Sequence, residues 1–216
     1  MAKFGFGPSP ELLELMQYGL RMKNSGEALA PIRNAIALKV NEEILTTFIH
    51  DLVAQFPNPA RSETALKLAQ YIKASVVVLL KPLLDDAPNK VAKASIEFYG
   101  KSLFKASDGQ YRVGFALDPR LYTNVQHSFA QIQAGERINP EGLAENYKQL
   151  AEAIVAHFFT HFSHSLNLSM LNAKTVDMGI SPILKAIYIS LDKLIPSFNR
   201  HELKILADYH ATLFHP

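Results

Sequence analysis

Five dipeptides in this sequence place a residue that caps helices directly before a proline. Ser, Asp and Asn side chains accept hydrogen bonds from the free N–H groups of a first helical turn. Proline suits the first helical position, because the N–H group that it lacks would have no partner there. Such pairs mark helix starts, and their spacing predicts an all-α fold, a compact bundle of seven or eight helices. The pairs are Ser9-Pro10, Asn58-Pro59, Asp118-Pro119, Asn139-Pro140 and Ser181-Pro182.

The stretch Asn139–Leu171 is the longest segment with the pattern of a single amphipathic helix. At about 100° per residue, Phe158, Phe159 and Phe162 fall on one broad apolar arc. An arc of this width indicates contact with more than one neighbouring element. We therefore expect the remaining helices to pack around this segment.

Composition predicts one folded domain over residues 1–216. About half of the residues are apolar (48%), and the chain is long enough for one substantial core. The net charge of +2 is too near neutral for a typical nucleic-acid-binding protein, so no nucleic-acid partner is expected. The absence of cysteine excludes disulfides, cysteine-ligated metals and thiol catalysis.

The N-terminal residues contain no apolar segment of the kind that forms a secretory signal. Residues 1–8 instead predict an arm with Phe4 and Phe6 between glycines, either loose or pinned by its aromatic rings. The longest strongly apolar run, Val76–Leu80, is far shorter than the roughly 20 residues that span a bilayer. The sequence therefore predicts a cytoplasmic protein without a membrane span.

One place in the chain indicates β-structure. Residues 107–117 interrupt the helical pattern, and Gln110–Phe115 alternates weakly between polar and apolar side chains. Asp108-Gly109 between such segments is a hairpin signal. The sequence thus predicts a loop at 107–117, with one short β-hairpin near residues 103–116 as the only candidate for β-structure.

The first functional hypothesis concerns the phenylalanines, which number 13. A Phe-rich interior either packs shut or leaves a cavity for an apolar small molecule. In the second case the candidate ligand-binding residues are Phe129, Phe158, Phe159 and Phe162. The protein would then be a non-catalytic binding or interaction protein, and no catalytic motif in the sequence favours an enzyme or points to a cofactor. A homo-oligomer joined through an uncovered apolar helix face is a further hypothesis.

The alternative hypothesis is a metal-binding protein or metal-dependent enzyme that uses histidines of the long helix. His157, His161 and His164 lie at i, i+4 and i+7, beside the apolar arc. Side chains at i and i+4 project together, so the first two suit a shared zinc ion. His164 lies about 10 Å from His157 along the axis, so a third ligand would come from elsewhere, with Asp177 or His127 as candidates. The competing interpretation is that all three are boundary histidines with one ring face against the core.

Overall fold

A computed structural model describes residues 1–81, 84, 88–165 and 170–216, without the side chains of residues 60, 61 and 170–178. The described residues form helices around a small antiparallel sheet. The helices are α1 (Pro10–Met22), α2 (Ala30–Leu45), α3 (Asp51–Val53), α4 (Pro59–Leu80), α5 (Asn89–Ser102), α6 (Pro119–Gln133), α7 (Pro140–Val155), α8 (Phe162–Ser165), α9 (Met170–Ser197) and α10 (Arg200–Ala211).

Within the described residues, two π-helical segments join helices end to end. The first, π1 (Thr46–His50), connects α2 to α3, and the second, π2 (Ala156–His161), connects α7 to α8. With each joined run counted once, the described residues contain eight helices. The predicted all-α bundle of seven or eight helices is therefore confirmed.

Four short strands form one antiparallel sheet in the order β2-β3-β1-β4. The predicted hairpin is confirmed, since β2 and β3 pair in antiparallel register, whereas the expectation that it would be the only β-structure was wrong. The N-terminal arm is pinned, because β1 lies inside the sheet, between β3 and β4. The strands are β1 (Lys3–Phe6), β2 (Leu103–Lys105), β3 (Tyr111–Ala116) and β4 (Phe214–His215).

Glycine permits a very close contact between the two inner strands. A Cβ atom on Gly114 would lie 1.9 Å from the carbonyl oxygen of Phe4, which is far inside van der Waals contact. On the same pair of strands, Phe4 stands opposite Phe115 in the register. The N-terminal strand therefore pairs closely with β3. Phe4 on this strand is fully buried in the core.

Four of the five predicted capping pairs begin helices. The side chains of Ser9, Asp118 and Asn139 accept hydrogen bonds from N–H groups of the first turns of α1, α6 and α7, and α4 begins at Pro59. The Ser181-Pro182 pair does not start a helix, because it lies inside α9. That prediction was wrong.

Tertiary packing explains why α9 continues through a proline. Proline in a helix interior removes one backbone hydrogen bond and costs roughly 3 kcal/mol. Ile180, Ile183 and Ile187 lie on the buried side of α9, next to Pro182. The helix packs there against α4 and α7. Burial of an aliphatic side chain stabilises by about 1.5–3 kcal/mol, so these three residues offset the local cost.

The segment predicted as one helix over 139–171 is helical from Pro140 to Ser165, with π2 in its middle. Residues 166–169 lie outside the described part of the chain, and Met170 already belongs to α9. This run contacts α5, α6 and α9, as the wide apolar arc indicated. Among the described helices, none combines the length and the apolar composition needed to cross a bilayer.

Candidate functional site

An apolar cavity of about 170 Å³ lies where π1 and π2 meet helices α4, α9 and α10. Its wall combines aromatic rings with long aliphatic side chains. The lining residues are Asn41, Ile44, Leu45, Phe48, Ile49, Leu52, Val53, Phe56, Ala65, Leu68, Ile72, Val76, Tyr147, Ala151, Ile154, Val155, Phe158, Phe159, Ile180, Ile183, Ile187, Leu191, Leu194, Ile195, Phe198, Leu206 and His210.

The size and composition of this cavity suit a small apolar molecule. An apolar cavity of about 150 Å³ engineered into another protein stays dry and binds benzene. Of the lining residues that the structure describes, Asn41, Tyr147 and His210 carry polar side-chain groups, and all the others are apolar. Water needs two to four polar partners to occupy an interior site. The wall therefore favours a ligand with largely apolar surface over water.

The π1 segment is held by side chains of α10. In π1 the N–H of Asp51 bonds to the carbonyl of Thr46, five residues earlier. The next two carbonyls each accept a hydrogen bond from a side chain of α10. The carbonyl of Thr47 accepts from the Tyr209 hydroxyl at 2.8 Å, and the carbonyl of Phe48 accepts from Nε2 of His210 at 3.0 Å. A π-helical turn disrupts the regular ladder of backbone bonds, so these two donors stabilise the widened turn.

His210 is buried and uncharged at the wall of the cavity. Its Nε2 faces the carbonyl of Phe48, which can only accept, so Nε2 carries the proton. Nδ1 then accepts a hydrogen bond from the Tyr147 hydroxyl at 2.7 Å. The ring stacks on Phe48 with centroids 4.5 Å apart and planes 9° from parallel. Burial lowers the pKa of His210 to about 4, although the Phe48 carbonyl opposes this shift.

Two phenylalanines, one from each π segment, separate the cavity from the aromatic core beneath the sheet. Phe48 of π1 lines the cavity and contacts Phe4 of β1 at 6.0 Å between ring centroids. Phe158 of π2 also lines the cavity and contacts Phe6 at 6.4 Å and Phe115 at 5.9 Å. The π segments therefore form the boundary between a closed region and an open one.

The structure brings two of the four predicted ligand-binding phenylalanines to the cavity. Phe158 and Phe159 line it. Phe162 is fully buried on the other side of the run, where its ring contacts Tyr99 at 5.2 Å. Phe129 is buried as well, against Phe214 at 5.7 Å. The last two belong to the packed core and not to the cavity wall.

Sequence reasoning missed most of the wall. The aliphatic part comes largely from α4 and α9, for example Ile72, Ile183 and Ile187. The spacing of Ile183 and Ile187 indicates a buried helix face. The neighbouring residues in the sequence do not indicate whether that face lines a cavity or packs into a closed core. Tyr147 and His210 are 63 residues apart, so their hydrogen bond has no local signature in the sequence.

The predicted histidine stripe runs from a partly buried position to the protein surface. His157 stacks on Phe115 at 4.7 Å, and its Nε2 lies 2.9 Å from the Ser102 hydroxyl, which donates to the carbonyl of Phe98. Burial, followed by the neighbouring charge of His161, lowers the pKa of His157 to about 4. His161 and His164 are exposed.

The geometry of the stripe does not assemble three metal ligands. Ring centroids are 6.0 Å apart for His157 and His161, and 6.5 Å apart for His161 and His164. Within the described residues, no group of three or more His, Asp or Glu side chains is placed to hold a metal ion. His127 lies exposed on α6, and Asp177 lies outside the described side chains. The arrangement of His157 fits the boundary interpretation.

The chain matches none of the protein-family models, curated proteins or solved structures with which it was compared.

Proposed function

We propose that the protein binds a small apolar molecule, without chemical conversion, in the cavity between π1, π2, α4, α9 and α10. The cavity itself carries this proposal. Protein interiors are packed to the density of organic crystals, so a void of about 170 Å³ is unusual and costly. At about 24 cal/mol per Å³, a fully enclosed empty cavity of this volume costs about 4 kcal/mol of folding free energy, and this partly open one costs less. A ligand that fills the space recovers part of that cost.

The character of the wall supports binding over catalysis. A nucleophile or general base must reach the reacting atom of a substrate with a free electron pair. Nδ1 of His210 already accepts from Tyr147, and its Nε2–H is bonded to the Phe48 carbonyl. These bonds occupy both ring nitrogens in structural roles and favour a cavity that holds its ligand unchanged.

Calorimetric titration with toluene tests this proposal. Toluene resembles benzene in size and carries no polar group, so it depends only on the apolar wall. We expect saturable binding of one molecule per chain. A ligand at ten times its Kd stabilises a protein by about 1.4 kcal/mol, so we also expect the melting temperature to rise by roughly 3–5 °C. No heat of binding and no rise in melting temperature would overturn the proposal.

Two substitutions on α4 locate the binding site. Ala65 lines the cavity and is buried, whereas Ala74 lies exposed on the same helix. In Ala65→Leu the added carbon atoms enter the cavity, so toluene binding should weaken at least tenfold. Ala74→Leu makes the same chemical change in solvent and should leave binding unchanged. Equal affinities in the two variants would place toluene elsewhere on the protein.

A further inference from the structure

The wall of the cavity contains no described side chain that is charged at neutral pH. Apolar residues form it except for Asn41, Tyr147 and His210. Tyr147 and His210 are both almost completely buried, at 2% and 1% exposure. An ionised carboxylate moved into such surroundings loses its hydration and gains no opposite charge, which is strongly unfavourable. The wall therefore selects for an uncharged ligand.

The hydrogen-bond donors of Tyr147 and His210 are already in use. The Tyr147 hydroxyl donates to Nδ1 of His210, and Nε2–H of His210 donates to the carbonyl of Phe48. Asn41, on α2, donates one of its two Nδ2–H groups to the carbonyl of Ala37 at 2.8 Å. A tyrosine oxygen has further electron pairs once its proton is committed. The Tyr147 oxygen can therefore accept a further hydrogen bond but cannot donate one.

We propose that the ligand is an uncharged alcohol or phenol, apolar over most of its surface, whose hydroxyl group donates to Oη of Tyr147, and that carboxylate anions are excluded. This inference rests on the proposed function, because it specifies the ligand class of the same cavity. The volume limits such a molecule to roughly the size of benzene or toluene. Fatty acids in their ionised form fall outside the class.

A pH series with two ligands of equal chain length tests the exclusion of charge. 1-Hexanol is uncharged throughout, whereas hexanoic acid ionises above a pKa of roughly 4 to 5, as alkyl carboxyl groups do. Between pH 5.5 and 7.5 we expect the affinity for hexanol to stay constant. The affinity for hexanoic acid should fall tenfold per pH unit, since its protonated form alone binds. A hexanoate affinity that is independent of pH would overturn the inference.

A comparison of hexanol with 1-methoxypentane tests the donated hydrogen bond. The two molecules have the same number of non-hydrogen atoms, but the ether has no donor. Burial of a hydroxyl without a partner costs about 1–3 kcal/mol in proteins, which would favour the ether by roughly five- to 150-fold. We expect the donated bond to offset this cost and to bring the two affinities within tenfold. A preference for the ether greater than tenfold would overturn the assignment.

Substitution of Tyr147 identifies the acceptor. Tyr147→Phe should weaken hexanol binding roughly three- to tenfold, the range of a typical hydrogen bond, and leave the affinity for 1-methoxypentane unchanged. Tyr99→Phe is the matched control, because Tyr99 is a fully buried tyrosine that does not line the cavity. Retained ether binding shows that the Tyr147 variant is folded. Unchanged hexanol affinity in that variant would show that Tyr147 is not the acceptor.

The controls separate failure of this inference from failure of the proposed function. If toluene binds and the ether is strongly preferred over hexanol, the cavity is a binding site and only the ligand class is wrong. If toluene, hexanol and the ether all fail to bind, the proposed function itself is wrong.

Discussion

Two regions of this protein both contain several aromatic rings, yet one is closed and the other is open. Beneath the sheet, Phe4 contacts Phe115 at 5.7 Å and Phe214 at 5.9 Å, and Phe129 contacts Phe214 at 5.7 Å. These distances lie in the range that aromatic pairs prefer. On the other side of Phe48, rings and aliphatic chains of similar size enclose the cavity instead.

The difference shows that backbone spacing, and not aromatic content, decides whether a core closes. Paired strands lie about 5 Å apart, and Gly114 lets β1 approach β3 without any side chain between them. Packed helices lie 8–10 Å apart. Where five helical runs converge, side chains alone must fill the space between the helix axes. The length of these side chains decides how much of that space stays empty.

The largest expected difference comes from truncating a phenylalanine in each region. Phe4→Ala should lower the free energy of unfolding by about 4 kcal/mol, because it opens a new cavity in a packed core. Phe159→Ala should lower it by about 2 kcal/mol, since one side of that ring already faces empty space. Urea denaturation of both variants measures the difference. Equal losses would show that the cavity is filled by relaxation of its wall.

The next effect is loss of stability in acid through His210, which lies between the two regions. Burial lowers its folded pKa to about 4, while an unfolded histidine titrates near 6.5. The unfolded state therefore binds the proton more readily, and the stability present above pH 6.5 is lost as the pH falls towards 4. At about 1.36 kcal/mol per pKa unit, His210 alone accounts for about 3 kcal/mol.

Urea denaturation between pH 7 and pH 4.5 measures this loss. His210→Gln should make the decline less steep, because it removes one titrating ring but keeps an N–H donor for the Phe48 carbonyl. The part of the decline that comes from His157, whose pKa is also lowered to about 4, should remain. His127→Gln changes an exposed histidine on α6 and should retain the decline. An unchanged slope in His210→Gln would show that other groups cause the acid sensitivity.

Enlarging an alanine should have opposite effects in packed and open surroundings. Ala144→Leu adds three carbon atoms at a buried position that does not line the cavity, so overpacking should cost about 2 kcal/mol. Ala65→Leu adds the same atoms at the cavity wall and should gain up to about 1 kcal/mol from new burial. Thermal unfolding reports the sign of each change. Destabilisation of similar size in both variants would contradict the contrast.

The smallest effect compares two buried tyrosines. Among the described residues, the Tyr99 hydroxyl has no hydrogen-bond partner, so Tyr99→Phe should change stability by less than about 0.5 kcal/mol or increase it slightly. Tyr147→Phe leaves Nδ1 of His210 without its donor and should cost about 1–2 kcal/mol. Chemical denaturation distinguishes the two. A larger loss for Tyr99→Phe would reveal a partner of its hydroxyl.

Much of the fold could be predicted from the sequence because helix starts are local. A capping side chain such as that of Asp118 acts on N–H groups two or three residues away, and apolar spacing within one turn sets the buried face. The hairpin was predicted for the same reason, since its turn lies between its own two strands. Strands β1 and β4 were missed, because each is short and pairs with residues far away in the chain.

The candidate site could be predicted only in part. Phe158 and Phe159 were predicted on a buried helix face and lie at the cavity wall. Phe129 and Phe162 also follow the apolar spacing of a buried helix face, but they pack into the closed core. Helical periodicity indicates which face of a helix is buried, but it does not indicate which residues that face contacts. The same limit applies to Pro182, whose local preference for a helix start is overridden by the packing of α9.

By itself the sequence determined that the chain is helical, where most helices begin and which of their faces turn inward, because these properties depend on neighbours within a turn or two. Only the tertiary structure decided that π1 and π2 line the same cavity and that Tyr147 forms a hydrogen bond with His210. The physical reason is one of range. A cavity remains where the helix axes lie farther apart than the side chains between them can fill. The distance between the axes is set by contacts between residues far apart in the sequence.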